Sequence, residues 1–287
     1  MKIIFYILSI CPLKFAFLLW DTAFKFIPLS ILRFSPPFKV TKKNLSIAFQ
    51  SLDDQALNRL AKESYKETLK SFYETLYTWS RSGEKIISQT KKINNRFLFK
   101  TPNQKDGLII FALHNRSIDF MLRWISSQRS HTSLYKTIKL KPVNKFVKKF
   151  REEGNCKMVE VGIGGVKTLL NSLENNQMTC MASDQVPADG LGIYSTFFGH
   201  ECYSFSLAPK LARKSKKRIL LAYLSYEKNI GYIMNFKKPH NEIYSKNGVD
   251  VMNREMEEEI IKSPSEYSWE YKKFRKLSKD PRDIYKT

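Results

Sequence analysis

His114 closes an apolar run within FALHNRSIDF (111–120), and Asp119 follows it five positions later. Histidine titrates near neutrality, and a carboxylate bonded to one imidazole nitrogen fixes the tautomer, leaving the other nitrogen free as a general base. Within one continuous α-helix a five-residue step turns side chains about 140° apart, so His114 and Asp119 would not share a face. The spacing works only at a junction. If a strand ends at Leu113 and Asn115 caps the following helix, His114 lies just before that helix and Asp119 in its first turns, where the two can approach each other. Spacing alone leaves two readings open: a base with its orienting acid, or a satisfied histidine beside an aspartate that favours a helix N-terminus.

The elements that must hold this pair follow from periodicity. GLIIFAL (107–113) reads as a short buried strand and RSIDFMLRWISSQ (116–128) as a helix. A strand is expected around Ser133 to Ile138, then a basic helix VNKFVKKFREE (143–153) ended by Gly154. KMVEVG (157–162) is a strand candidate, VKTLLNSLEN (166–175) a helix, and MTCMASD (178–184) a strand. SFSLAPKLARKS (204–215) reads as helical, and RILLAYLSY (218–226) and IGYIMNF (230–236) as strands joined by a tight turn at Lys228 and Asn229. Upstream, the apolar spacing of residues 51–79 predicts a long amphipathic helix capped by Ser51 or Asp53. Alternating short strands and helices predict a single α/β domain with a mostly parallel central sheet flanked by helices. Sites in such sheets gather at the carboxyl ends of strands, where His114 and Asp184 both fall. Gly162, Gly164 and Gly165 lack a following GK[ST], so they read as a strand-to-helix turn and not a phosphate loop.

The chain has 287 residues, 43% hydrophobic, enough for one large core with no Pro/Gly/Ser linker dividing it. Lysine and arginine number 49 against 27 acidic residues, a net charge of +22 spread along the chain. That excess points to an anionic partner: nucleic acid, an acidic protein or an anionic membrane surface. The four cysteines show no CxxC or zinc-type spacing, so neither a metal site nor a disulfide framework is expected. IIFYILSICPLKFAFLLW (3–20) is nearly all apolar but broken by Pro12 and Lys14, and AFKFIPLSIL (23–32) follows it. Two interrupted apolar helices fit a segment lying in or dipping into one leaflet, so residues 1–35 are expected to be membrane-associating and 36–287 the main domain. A signal peptide fits less well, with only Lys2 as n-region and no small-x-small cleavage site.

H-x4-D after a buried strand and before a helix resembles the signature of the glycerolipid and lysophospholipid acyltransferase superfamily, and within it the late acyltransferases of lipid A biosynthesis. KKNLSIAFQSL (42–52) is similar to that family's entry to its first long helix, with Gln50 replacing the usual proline. KFREEGN (149–155) resembles the segment carrying its arginine, here Arg151, and SDQVPADGLGIYSTFFG (183–199) resembles its DQ and FFG segments, giving Asp184, Gln185, Phe197, Phe198 and Gly199. EYSWEYKKFRK (266–276) looks like its C-terminal aromatic and basic signature around Trp269. The absence of an FPEG-type motif favours the lipid A branch over glycerol-phosphate-type relatives.

The resemblance implies transfer of a fatty acyl group from an acyl carrier protein or coenzyme A thioester to a hydroxyl of a lipid A precursor, with no further cofactor, on the cytoplasmic face of a bacterial inner membrane. Its catalytic pair would be His114 as base and Asp119 as orienting acid. Arg116, or backbone amides of residues 115–117, would meet the oxyanion. Arg151 and Asp184 would pair to shape the cleft or contact the acceptor's phosphate, with Gln185 beside them. The lysines between 136 and 149 would suit acyl carrier protein, anionic headgroups and a phosphorylated glycolipid. Two rivals are a related acyltransferase acting on a lysophospholipid, aminolipid or other glycolipid, and a non-catalytic basic module binding nucleic acid or anionic lipid. No nucleic-acid motif supports the latter.

Overall fold

The computed structural model describes residues 1–100, 106–280, 282, 284 and 285. Its centre is a seven-stranded sheet with helices on both faces. The strands are β1 (Thr90–Asn94), β2 (Leu108–Ala112), β3 (His131–Tyr135), β4 (Lys157–Glu160), β5 (Met178–Ala182), β8 (Arg218–Glu227) and β9 (Gly231–Lys237), in the order β1-β9-β8-β2-β5-β3-β4. All neighbours run parallel except the β8–β9 hairpin. A separate antiparallel hairpin, β6 (Gly192–Phe197) with β7 (His200–Phe205), stands outside the sheet. That hairpin, strand β1 and helix α12 (Gly248–Lys262) are absent from the pattern-based expectation.

Strand β2 shows why the apolar run at 108–113 is continuous and not alternating. Ile109, Phe111 and Leu113 pack on one side of the sheet, Leu108, Ile110 and Ala112 on the other, and all are buried. On the first side lie α10 (Ile163–Glu174), α11 (Leu207–Ser215) and α12; on the second lies α8 (Ile118–Gln128), with Phe120 and Trp124. Each such large side chain contributes about 1.5–3 kcal/mol by leaving water, as an upper bound.

Helix α5 (Asp54–Ser80) is the expected long helix, and Asp53 caps it by accepting from the Ala56 N–H at 2.7 Å. Helix α9 (Lys141–Arg151) is the expected basic helix. The turn at Gly165 leaves no room for a side chain, because a Cβ there would lie 2.2 Å from the Glu160 carbonyl oxygen.

The N-terminal segment folds into α1 (Lys2–Leu8), α2 (Leu13–Phe26) and α3 (Leu29–Leu32), followed by α4 (Pro36–Ala48). Among the described residues no single helix is long and apolar enough to cross a membrane; α1 and α2 reach that composition only together, bent by 49°. Both are fastened to α5. The Arg81 guanidinium donates to the Ser9 carbonyl at 2.7 Å, Tyr73 hydroxyl donates to the Cys11 carbonyl at 2.8 Å, and Lys70 reaches Asp21 at 2.6 Å. Phe17 of α2 is buried edge-on against Tyr226. The outward faces carry exposed Ile3, Ile4, Ile7, Phe15, Leu18 and Leu19. Two short helices, α6 (Gly83–Ile87) and α7 (Arg96–Phe99), complete the frame.

Candidate active site

Strands β2 and β5 are parallel neighbours, with Ala112 opposite Ala182. His114 and Asp184 each lie two residues beyond this paired alanine, so they emerge level with one another at the carboxyl edge of the sheet. The His114 Nδ1 lies 2.7 Å from Asp184 Oδ1, and the His114 backbone N–H donates to Asp184 Oδ2 at 3.0 Å. His114 Nε2 faces a cavity of about 500 Å³, with the Gln185 side-chain nitrogen 3.4 Å away. Its walls are largely apolar, including Met121, Leu134 and Met181.

Asp119 does not meet His114. Ser117, not Asn115, caps α8 by accepting from the Phe120 N–H at 3.3 Å, which sets Asp119 in the first turn facing the C-terminal end of α9. There Arg151 grips it bidentately, Nε at 2.6 Å and Nη2 at 2.9 Å. The expected Arg151–Asp184 pair is corrected by the same contacts: each residue has another partner, Arg151 on Asp119 and Asp184 on His114. Arg151, with Gln185, still borders the cavity.

Arg116 also departs from expectation. Its backbone is left-handed (φ 57°), and its fully buried side chain points away from the cavity to Glu67 and Glu74, with Glu266 at 3.8 Å. It therefore cannot meet an oxyanion beside His114. Backbone amides are committed too: Asn115 donates to the Leu113 carbonyl, Arg116 to the Glu266 carbonyl and Ser117 to Glu74 Oε2. Donors at the cavity include the Gln185 carboxamide, next to His114 Nε2, and the N–H groups of Arg151 that Asp119 does not use.

Burial tends to lower the His114 pKa, but the charge and hydrogen bond of Asp184 outweigh it and hold the ring above its ordinary 6.5. Burial likewise tends to raise Asp184, yet His114, two hydrogen bonds from it and the charge of Lys273 hold the carboxyl below 3.8. His131, at the start of β3, is held by Ser126 and Ser133, and burial pushes it down to about 4. Burial pushes the Cys180 thiol up, so this cavity-lining cysteine is a poor nucleophile.

The C-terminal segment supplies what spacing did not reveal. Tyr267 hydrogen-bonds Asp184, and the buried Lys273 ammonium sits 4.4 Å over the Phe197 ring with no hydrogen-bond acceptor among the described residues. Trp269 is fully buried edge-on against both Phe49 and Phe198. Asn44 donates to the carbonyls of Trp269 and Tyr271 at 2.6 and 2.7 Å. Thus the 42–52, FFG and 266–276 stretches meet in one aromatic knot behind His114 and Asp184. Composition marked the last stretch as aromatic and basic; nothing local in it indicated that Tyr267 and Lys273 face Asp184.

The sequence profile of bacterial lipid A biosynthesis acyltransferases matches residues 4–276, nearly the whole chain. The chain belongs to that family. A search of curated proteins returns no match. As a lipid A biosynthesis acyltransferase it is an enzyme of lipopolysaccharide biosynthesis, which removes the non-catalytic basic module from consideration.

Proposed function

We propose that this acyltransferase uses His114 as the general base that moves a fatty acyl group from an acyl carrier protein or coenzyme A thioester to a hydroxyl of a lipid A precursor, with Asp184 as its orienting acid. The observation carrying this reading is the 2.7 Å His114–Asp184 contact at the mouth of an apolar cavity. Asp184 fixes the proton on Nδ1, and Nε2 takes the acceptor's proton as its oxygen attacks the thioester carbonyl. The tetrahedral intermediate collapses by breaking the C–S bond, and the imidazolium returns its proton to the departing thiolate. Asp184 stabilises the imidazolium throughout. Gln185 and Arg151 are the donors for the oxyanion, and the acyl chain lies along Met121, Leu134 and Met181. The thioester is a co-substrate and no cofactor takes part.

The test is acyl transfer by detergent-solubilised protein from an acyl carrier protein thioester to a tetra-acylated lipid A precursor. Transfer is expected with the native chain and a loss of at least about a thousandfold with His114→Ala. Undiminished transfer by His114→Ala would sink the proposed base.

We further propose that α1 to α3 hold the enzyme on the cytoplasmic face of the inner membrane. The exposed apolar faces of α1 and α2 support this, as does the contact of Phe5 with Phe146, 5.2 Å between ring centres, which sets α1 against α9. Exposed Lys141, Lys145 and Lys149 thereby neighbour the apolar face, each adding about 1 kcal/mol near an anionic surface. In flotation with phosphatidylglycerol-containing vesicles, the double variant Ile3→Glu, Ile7→Glu is expected to bind at least about tenfold less than the native chain. Equal flotation of the two would exclude α1 as the contact.

A further inference from the structure

No carboxylate lines the cavity at His114 among the described residues, yet three cations do: Lys136, Arg151 and Arg275. Arg151 is neutralised by Asp119. Lys136, just past β3, is exposed and joins no ion pair among the described residues. Arg275 is set in place without a carboxylate: its Nη2 donates to the Val186 carbonyl at 3.1 Å and its guanidinium lies 5.0 Å over the Tyr271 ring. An unneutralised cation on the wall of an apolar cavity is favourable when the ligand brings the anion, since charge-assisted hydrogen bonds to phosphate are strong where water is excluded. The arginine's planar fork suits phosphate oxygens and the lysine acts as a point charge.

We infer that the cavity accepts an anionic amphiphile, with its hydrocarbon chain against the apolar wall and a phosphate group against Lys136 and Arg275. This rests on the acyl-transfer reading for the chain and adds a phosphate subsite to it. Two sources share that chemistry: the phosphodiester of a donor's phosphopantetheine arm, and a phosphate carried by the acceptor lipid.

Binding is measured first, with full-length protein in non-ionic detergent, by calorimetric titration of monododecyl phosphate and of dodecanol. The native chain is expected to prefer the phosphate ester by at least about tenfold, the size of one charge-assisted hydrogen bond. Lys136→Gln with Arg275→Gln is expected to abolish the preference, and Lys136→Arg with Arg275→Lys to keep most of it. No preference in the native chain, or one that survives the glutamine pair, overturns the proposal. Kinetics then assign the source. A rise in KM for the coenzyme A thioester relative to the N-acetylcysteamine thioester in the glutamine pair assigns the donor. A rise for phosphorylated over dephosphorylated acceptor assigns the acceptor, and a rise for neither counts against a phosphate subsite. Because calorimetry needs no turnover, failure of the His114 reading leaves the binding result readable.

Discussion

Asp184→Asn is expected to lower acyl transfer by about ten-thousandfold, the order seen when the acid that orients a catalytic imidazole loses its charge. Asp119→Asn is expected to cost far less, about tenfold, because it loosens Arg151 at the cavity wall and leaves the His114 tautomer alone. The pH dependence separates the two more sharply than the rates. A base must be neutral, so kcat/KM rises with pH through the His114 pKa, which Asp184 holds above 6.5. Removing the Asp184 charge leaves burial as the main influence and moves that acid limb to lower pH; Asp119→Asn leaves it in place. A limb that moved with Asp119→Asn and stayed put with Asp184→Asn would reverse the assignment.

The same pair predicts a stability signature. His114 titrates above its unfolded value, so its contribution is complete below about pH 6.5 and is lost as pH rises through the folded value. Asp184 titrates below its unfolded value, so its contribution is present above about pH 3.8 and is lost as pH falls through the folded value. The deficit of Asp184→Asn in denaturant unfolding is therefore largest between about pH 4 and 6.5 and shrinks on either side.

Arg116→Met is expected to be the most destabilising single change near the site, by about 3–5 kcal/mol, because it strands Glu74 and Glu266 in a buried space and leaves Glu67 to Lys70 alone at short range. A melting temperature lower by on the order of 10 °C is expected in thermal unfolding. Burial raises Glu74, and raises Glu266 to about 7, even with the guanidinium present; without it both go higher still. A carboxyl raised in the folded state binds protons more readily there than when unfolded, so folding weakens as pH rises. The Arg116→Met deficit is accordingly greatest above pH 7 and smaller at pH 5. A deficit independent of pH would mean that lost packing, not stranded charge, dominates. The variant also releases the left-handed turn that carries the chain from His114 into α8, so transfer is expected to fall with it.

Buried apolar runs made β2 and β5 readable, because a strand covered on both faces needs no alternation, and the long α5 announced itself by its apolar spacing and its Asp53 cap. Helix α12 was missed: its buried face mixes Met252, Met256 and Ile260 with Asn253, Glu255 and Glu259, so its burial is not written in apolar residues alone. Strand β1 was missed for a similar reason, since TKKIN is no apolar run and earns its place by pairing with β9. The β6–β7 hairpin turns at Phe198 and Gly199, both with positive φ, and the left-handed Phe198 packs on Phe49 and Trp269, which are distant in sequence.

By itself the sequence determined that this is an α/β acyltransferase of the lipid A family, and that His114 and Asp184 both stand at strand ends. It did not decide which of Asp119 and Asp184 meets the histidine. H-x4-D placed Asp119 nearest in sequence, but a helix cap two residues earlier than Asp119 turned that carboxylate toward α9. Only the pairing of β2 with β5, which sets Ala112 beside Ala182, brought Asp184 level with His114. Strand order and register are decided by packing across the whole sheet, so a partner seventy residues away was fixed by tertiary structure and not by the ten residues around the histidine.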